Sequence, residues 1–185
     1  MIVAGIFVGG ASTRFGGRPK GLLTAPSGET IVAQLGGHFA ALGVPWVLVG
    51  RRPEYAGLAA EVLDDALVGI GPLGGLLALL RRAGDGEALT IGCDMPFVSR
   101  DLLARLVGAT TAAAAIAPRR HARWEPMFAR FAAPRARPLA EARADEGRAS
   151  LQGLLDALDA AELPLSADEH RVLDDWDTPE EMERR

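Results

Sequence analysis

IVAGIFVGGASTRFGGRPKGLL, residues 2–23, begins as an unbroken apolar run and ends as a basic loop. Ile2 to Val8 carries no polar side chain, the pattern of a strand covered on both faces. The run stops at Gly9-Gly10. A loop follows with further glycines at Gly16, Gly17 and Gly21, and with Ser12, Thr13, Arg14, Arg18 and Lys20. A helical pattern starts near Thr30. Strand, glycine-rich basic loop and helix, in that order, hold a phosphate in α/β folds, because glycines such as Gly9 and Gly10 let backbone N–H groups turn toward an anion. Lys20 is the only lysine of the sequence; every other basic residue is arginine. A compact ammonium in a chain that otherwise uses planar guanidinium marks a crowded phosphate site. Arg14, in the same loop, is a second phosphate ligand by charge and position.

Working outward, Ile31, Val32, Leu35, Phe39 and Leu42 recur at helical spacing between Glu29 and Leu42, and Gly43 supplies the stop. Trp46 to Val49 reads as a second strand, and Glu61 to Leu63 as a short third one cut off by Asp64-Asp65. Pro72 opens a helix whose buried side is Leu73, Leu76, Leu77 and Leu80. Ala88 to Gly92 is a fourth strand that closes on Cys93-Asp94-Met95-Pro96, and Ser99 caps a helix reaching Val107. This β-α-β-β-α-β-α order predicts an α/β fold with a doubly wound, mostly parallel sheet and right-handed crossovers. The second half is less regular. Strands are expected at Ala112 to Ala117, Met127 to Phe131 and Arg171 to Leu173, with a basic loop from Pro118 to Trp124 that contains His121. Helices are expected over Arg135 to Arg143 and Ser150 to Leu158, and Thr178-Pro179-Glu180-Glu181 announces a terminal one. With no repeat and no linker, residues 1–185 read as one domain.

Composition narrows the function classes. Nearly half the residues are apolar and the formal charge is −4, so neither a nucleic-acid-binding excess nor a disordered acidic tail is present. The single cysteine, Cys93, excludes an internal disulfide and a cysteine-rich metal site, and fits a reducing compartment. Met1 to Val8 lacks the charged start and cleavage pattern of a signal peptide, and no apolar run approaches the roughly 20 residues that span a bilayer. The expectation is a cytoplasmic protein with no nucleic-acid or membrane partner.

Ligands of open α/β sheets bind beyond the carboxyl ends of the strands. The loop of Gly9 to Gly21, Asp64-Asp65, Cys93-Asp94 and the acidic run Asp174 to Asp177 all fall on that edge. A basic phosphate loop facing carboxylates suggests a nucleoside triphosphate with Mg²⁺, which needs one or two aspartates besides phosphate oxygens. Asp94, directly after a buried strand, is a metal ligand or else a turn cap. Asp65 either reads the adjacent N–H donors on the Watson–Crick edge of guanine or closes an Asx turn. Two phosphate motifs are excluded. Lys20 is followed by Gly21 rather than Ser or Thr, so this is no P-loop, and the G-x-G-x-x-G of Gly69, Gly71 and Gly74 holds Pro72 and follows two aspartates. Cys93 reads as a small buried hydrophobe, and His38 and His170 as surface or packing residues. His121, in a loop with Arg119, Arg120 and Arg123, is either the one histidine near a ligand or part of a solvated basic loop.

Taken together, these segments resemble the molybdenum cofactor guanylyltransferases. That family's opening strand and Leu-Ala-Gly-Gly-x-Ser-x-Arg-Met-Gly-x-x-x-Lys correspond to Phe7 through Lys20, with the spacing to the lysine intact. Its Gly-Pro-Leu-Ala-Gly is similar to Gly71-Pro72-Leu73-Gly74-Gly75, and its Cys-Asp-x-Pro-Phe to Cys93-Asp94-Met95-Pro96-Phe97. The late Pro-Leu-Phe-Ala is similar to Pro126-Met127-Phe128-Ala129, and the closing Asn-x-Asn-Thr-Pro-Glu to Asp175-Trp176-Asp177-Thr178-Pro179-Glu180.

The resemblance implies a Rossmann-like nucleotidyltransferase fold of three α/β/α layers, and a reaction in which Mo-molybdopterin attacks GTP and displaces pyrophosphate. It implies nucleotide contacts at Phe7, Val8 and Gly9, the triphosphate at Lys20, GTP at Asp65 and Mg²⁺ at Asp94, and it allows molybdoenzyme maturation proteins as partners. Three departures stand out. Val49-Gly50-Arg51 replaces a family asparagine after the second strand, Pro19 replaces an acidic residue, and Asp175 and Asp177 replace asparagines. A carboxylate at Asp177 adds a potential metal ligand. The alternatives left open are a cytidylyl- or sugar-phosphate nucleotidyltransferase of the same fold, and a non-catalytic delivery module for nucleotide or cofactor.

Overall fold

The computed structural model describes residues 1–9, 19–58 and 60–173. In chain order its first half holds β1 (Ile2–Phe7), α1 (Ile31–Ala41), β2 (Trp46–Val49), β3 (Val62–Leu63), α2 (Pro72–Ala83), β4 (Glu87–Gly92) and α3 (Arg100–Gly108). The second half holds β5 (Ala115–Ala117), β6 (Arg119–Arg120), β7 (Arg123–Trp124), β8 (Phe128–Ala132), α4 (Ala133–Asp145), α5 (Leu151–Ala157), β9 (Ala161–Glu162) and α6 (Ala167–Val172).

The main sheet has the strand order β3-β2-β1-β4-β8-β5-β9. β1 lies inside it, parallel to β2 on one side and to β4 on the other, with Ile6 opposite both Leu48 and Ile91. Its apolar residues are divided between the two faces, as a doubly covered strand requires. Ala4, Ile6 and Val8 pack with Ile31, Leu35 and Phe39 of α1 and Leu102, Leu103 and Leu106 of α3. Val3 faces the other layer, with the leucines of α2 and the alanines of α4. Gly5 permits that second contact, since a Cβ there would lie 2.6 Å from Cδ2 of Leu79. The fold is therefore the mostly parallel, three-layer arrangement expected, with helices on both faces.

The cap at Ser99 and the stop at Gly43 act where the sequence placed them, and Thr30 proves to be a cap as well. Thr30 Oγ1 accepts the Ala33 N–H at the start of α1, Ser99 Oγ accepts the Leu102 N–H at the start of α3, and Gly43 closes α1 at φ +66°. Three expectations change. Arg171-Val172-Leu173 is not a strand: Arg171 and Val172 end α6, which a capping box between Ser166 and Glu169 nucleates. Pro118 to Trp124 is not an irregular loop, because β6 and β7 form a hairpin whose turn holds His121 at φ 49° and Ala122 at φ 63°. Such turns usually carry asparagine or glycine, so His-Ala gave no turn signal. The strand expected from Met127 is β8, and it runs antiparallel between β4 and β5. The terminal helix expected from Thr178 lies outside the described residues.

β8 also carries a buried cation. Arg130 Nη1 donates to the Val107 carbonyl at 2.5 Å and Nη2 to that of Ala109, while Nε lies 3.4 Å from Glu87 Oε1. A guanidinium thereby covers the carbonyls left over at the C-terminal end of α3, where a positive charge is favoured. Replacing Arg130 by Met should lower stability by about 2–4 kcal/mol, seen as a lower urea midpoint at unchanged m-value.

Candidate active site

The chain runs outward from β1 to β2 and β3, then crosses back through α2 to β4 on the other side of β1, which opens a crevice at the carboxyl ends of these strands. Backbone bonds continue the ladder beyond the strands and hold their ends together. Val8 N–H donates to Val49 O at 2.9 Å, Cys93 N–H to Phe7 O at 3.1 Å, and Gly92 N–H to Met127 O at 3.1 Å. Gly50 has to be glycine: its φ is +93°, and a Cβ would sit 3.0 Å from the Gly9 nitrogen. The crevice is a cleft of about 450 Å³ lined by Phe7, Val8, Gly9, Lys20, Val49, Asp65, Gly71, Pro72, Gly92, Cys93, Asp94 and Met127. That volume lies in the range of small-molecule sites.

Lys20 enters from a 3₁₀ turn, Lys20–Leu22, closed by the Leu23 N–H to the Lys20 carbonyl at 3.0 Å. Its Nζ lies 3.3 Å from Asp94 Oδ2, and the two side chains remain 18% and 30% exposed. The pair is sheltered enough for its charge to act through little water, yet open enough to take a ligand between or beside its members. Gly92 makes the room, because a Cβ there would fall 2.5 Å from Asp94 Oδ1.

The two aspartates after β3 divide their roles. Asp64 accepts a fork from Arg51, at 2.6 Å from Nε and 2.9 Å from Nη2, in the open. Asp65 stands on the cleft wall, where partial burial and then the charge of Asp64 push its carboxyl above the usual range. The next residue, Ala66, donates its N–H to Gly74 O at 3.0 Å and so ties this wall to the first turn of α2. That helix begins at the cleft, with Gly71 at φ +68° and Pro72 in its first turn, so its positive end faces the site. The segment preceding it is a loop rather than a strand, so the G-x-G-x-x-G spelling here is no dinucleotide turn.

Of the sequence-predicted residues, Phe7, Val8, Gly9, Lys20, Asp65 and Asp94 converge on this one cleft. Gly10, Arg14 and Asp177 lie outside the described residues. Cys93 is the buried packing residue expected; burial, then the Asp94 charge, pushes its thiol up to about 12. His38 is partly buried on α1, while His121 at the hairpin tip and His170 on α6 are not among the cleft-lining residues. Sequence reasoning missed two contributors. Met127 lines the cleft from the segment before β8. Tyr55, buried beneath Lys20, accepts the Gly21 N–H at 3.1 Å, and its being the single tyrosine was the only signal. Among the described residues there is no group of three or more histidine, cysteine, aspartate or glutamate side chains that could cage a metal.

A switch-point cleft with exposed strand-end backbone, an ammonium beside one carboxylate and a second carboxylate on the facing wall defines an α/β enzyme that handles nucleotides. Residues 4–162 match the family model described as the MobA-like NTP transferase domain. Over 184 residues the chain is 32% identical to a molybdenum cofactor guanylyltransferase of Pseudomonas putida, covering 96% of this chain and 94% of that one. The crystal structure of molybdopterin-guanine dinucleotide biosynthesis protein A from Archaeoglobus fulgidus superposes with a TM-score of 0.80 at 24% identity, over 100% of this chain and 96% of that one. The 2-C-methyl-D-erythritol 4-phosphate cytidylyltransferase of Thermus thermophilus shares the fold at a TM-score of 0.66 and 17% identity, over 100% of this chain and 95% of that one. The chain belongs to the MobA-like NTP transferase family and, within it, to the molybdenum cofactor guanylyltransferases; it is a nucleotidyltransferase.

Two outcomes follow from the geometry. Gly92→Ala should leave the melting temperature nearly unchanged, since only the mobile end of Asp94 must yield, while nucleotidyl transfer falls by about 10-fold or more. Cys93, its thiol protonated at pH 8, should resist iodoacetamide in the native protein and react once urea unfolds it, as read by mass spectrometry.

Proposed function

We propose that this protein transfers GMP from GTP to the terminal phosphate of Mo-molybdopterin, as one nucleotidyltransferase unit acting in the cytoplasm. The observation that carries the reading is the Lys20–Asp94 pair at 3.3 Å in the same cleft as Asp65, in a chain whose relatives are guanylyltransferases. An acceptor phosphate oxygen attacks the α-phosphorus of GTP, the bond from that phosphorus to the β-phosphate bridging oxygen breaks, and pyrophosphate leaves. The acceptor is already ionised, so no side chain has to remove a proton. Positioning and charge neutralisation carry such transfers.

Each residue then has a task. Lys20 neutralises the triphosphate, and Gly9 with the start of α2 offers backbone N–H groups to phosphate oxygens. Gly10 and Arg14 are further phosphate ligands, proposed from their position in the sequence and, for Arg14, its charge. Phe7 and Val8 contact the nucleoside. Asp65, when ionised, accepts the adjacent N–H donors of guanine, which cytosine does not present in that arrangement. Asp94 fits Mg²⁺: it is a hard oxygen donor aimed into the cleft, with Gly92 leaving space around it. Asp177 is a second candidate ligand, and charge neutralisation on the triphosphate is the chemistry a bound Mg²⁺ supplies there. Molybdoenzyme maturation proteins are the proposed recipients of the product.

Incubated with Mg²⁺, GTP and Mo-molybdopterin, the protein should release pyrophosphate; release with CTP alone would overturn the guanylyl assignment. Lys20→Ala should lower kcat by about 100-fold or more with the fold retained, and Lys20→Arg should not restore it. Asp65→Asn should lower kcat/KM for GTP by about 10–100-fold. Because the folded protein holds the Asp65 proton more tightly than the unfolded chain, its ionised form costs stability at pH 7. The same variant should therefore melt higher at pH 7, and the gain should vanish below the ordinary aspartate range. Equal melting temperatures at pH 7 would count against the burial of this carboxylate.

A further inference from the structure

Tyr55 belongs to neither of the segments that form the site. It ends the 3₁₀ turn Pro53–Tyr55, beyond β2, and its ring is buried beneath the cleft at 2% exposure. Two chains meet at its hydroxyl. From one side comes Gly21, whose N–H donates to the phenolic oxygen at 3.1 Å. On the other side lies Cys93, packed against the same glycine as the hydroxyl. The approach is close because Gly21 has no side chain: a Cβ there would lie 2.8 Å from the Tyr55 oxygen, 3.1 Å from Cys93 Cβ and 2.6 Å from Val32 Cγ2.

The neighbours in sequence give this contact its meaning. Lys20 immediately precedes Gly21, and Asp94 immediately follows Cys93. We propose that the Tyr55 hydroxyl is a positioning group for nucleotidyl transfer: it pins the turn that carries Lys20 to the strand end that carries Asp94, and so sets the ammonium and carboxylate at working distance. Tyr55 touches no substrate and acts through these two residues; the kinetic part of this inference rests on the guanylyl-transfer reading. Removing the oxygen alone strands a buried N–H, whose cost the turn can relieve only by moving. A shift of about 1 Å in Lys20 is enough to weaken charge neutralisation at the triphosphate. The base-reading wall at Asp65 hangs from β3 and α2 and is left alone.

Tyr55→Phe keeps the ring and deletes the hydroxyl, and two readouts decide the matter. Hydrogen exchange followed by mass spectrometry or NMR should show the Gly21 amide exchanging about 10-fold faster or more, with β1 and β4 amides keeping their protection. In steady state with GTP, kcat should fall about 10-fold while KM stays within about twofold, a split that general destabilisation does not produce. Unchanged Gly21 protection, or unchanged kcat once that protection is lost, overturns the proposal. So does a joint loss of β1 and β4 protection, which assigns Tyr55 to packing alone. Should the wild type release no pyrophosphate from GTP, the transfer reading fails, and the exchange arm still decides whether the hydroxyl pins the turn.

Discussion

The parallel pairing of β1 with β4 is the constraint from which the rest of the molecule follows. Its register sets Phe7 opposite Gly92, and the next step of the ladder, Cys93 N–H to Phe7 O, brings both chains out of the sheet side by side. Two cleft residues follow within two positions, Gly9 on one chain and Asp94 on the other, and Lys20 reaches back to Asp94 across the gap. A one-residue slip would turn Ala4, Ile6 and Val8 from the α1 layer to the α2 layer, so burial on both faces holds the register firmly. The site inherits its precision from the core.

Charge is distributed to suit. Arginine holds the outside of the molecule, in exposed pairs such as Arg82 with Glu61 and Arg81 with Glu141. Pairs of that kind contribute little to stability. Arg130 is the buried exception among those described here, and its task is to cover the end of α3. At the cleft the chain changes chemistry and presents an ammonium against one carboxylate and a second carboxylate across the way. An anionic ligand can then be met by Lys20, the first turn of α2 and the strand-end amides together, while Asp65 repels phosphate and suits a base that donates hydrogen bonds.

The likeness to a cytidylyltransferase of the same fold makes a related point. The sheet and its switch point define where a nucleotide goes, and the choice of base and acceptor rests with a few side chains hung on the rim. On the rim here stand Asp65, tied to α2 through Ala66 and Gly74, and Met127, tied to the end of β4. Glycines at 74, 75 and 92 keep that rim thin enough for side chains to share it. A Cβ at Gly75, for instance, would lie 3.2 Å from Asp65 Oδ1.

Much of this was legible in the sequence, because it depends on local rules. An apolar run ending in glycines, leucines at helical spacing behind Pro72, a stop at Gly43, a cap at Ser99, and aspartates directly after strands determined the doubly wound order and the edge where the ligand belongs. The single lysine singled itself out by its chemistry. Tertiary structure decided what depends on distant partners. It turned β8 antiparallel between β4 and β5, made Arg171 and Val172 the end of a helix, folded a basic stretch into a hairpin, and parted Asp64, bound to Arg51, from Asp65 in the cleft. Above all it placed Tyr55 under the site, 34 residues from the glycine it holds. Sequence patterns report which face a residue buries; only the packed chain decides which backbone group its one hydroxyl will meet.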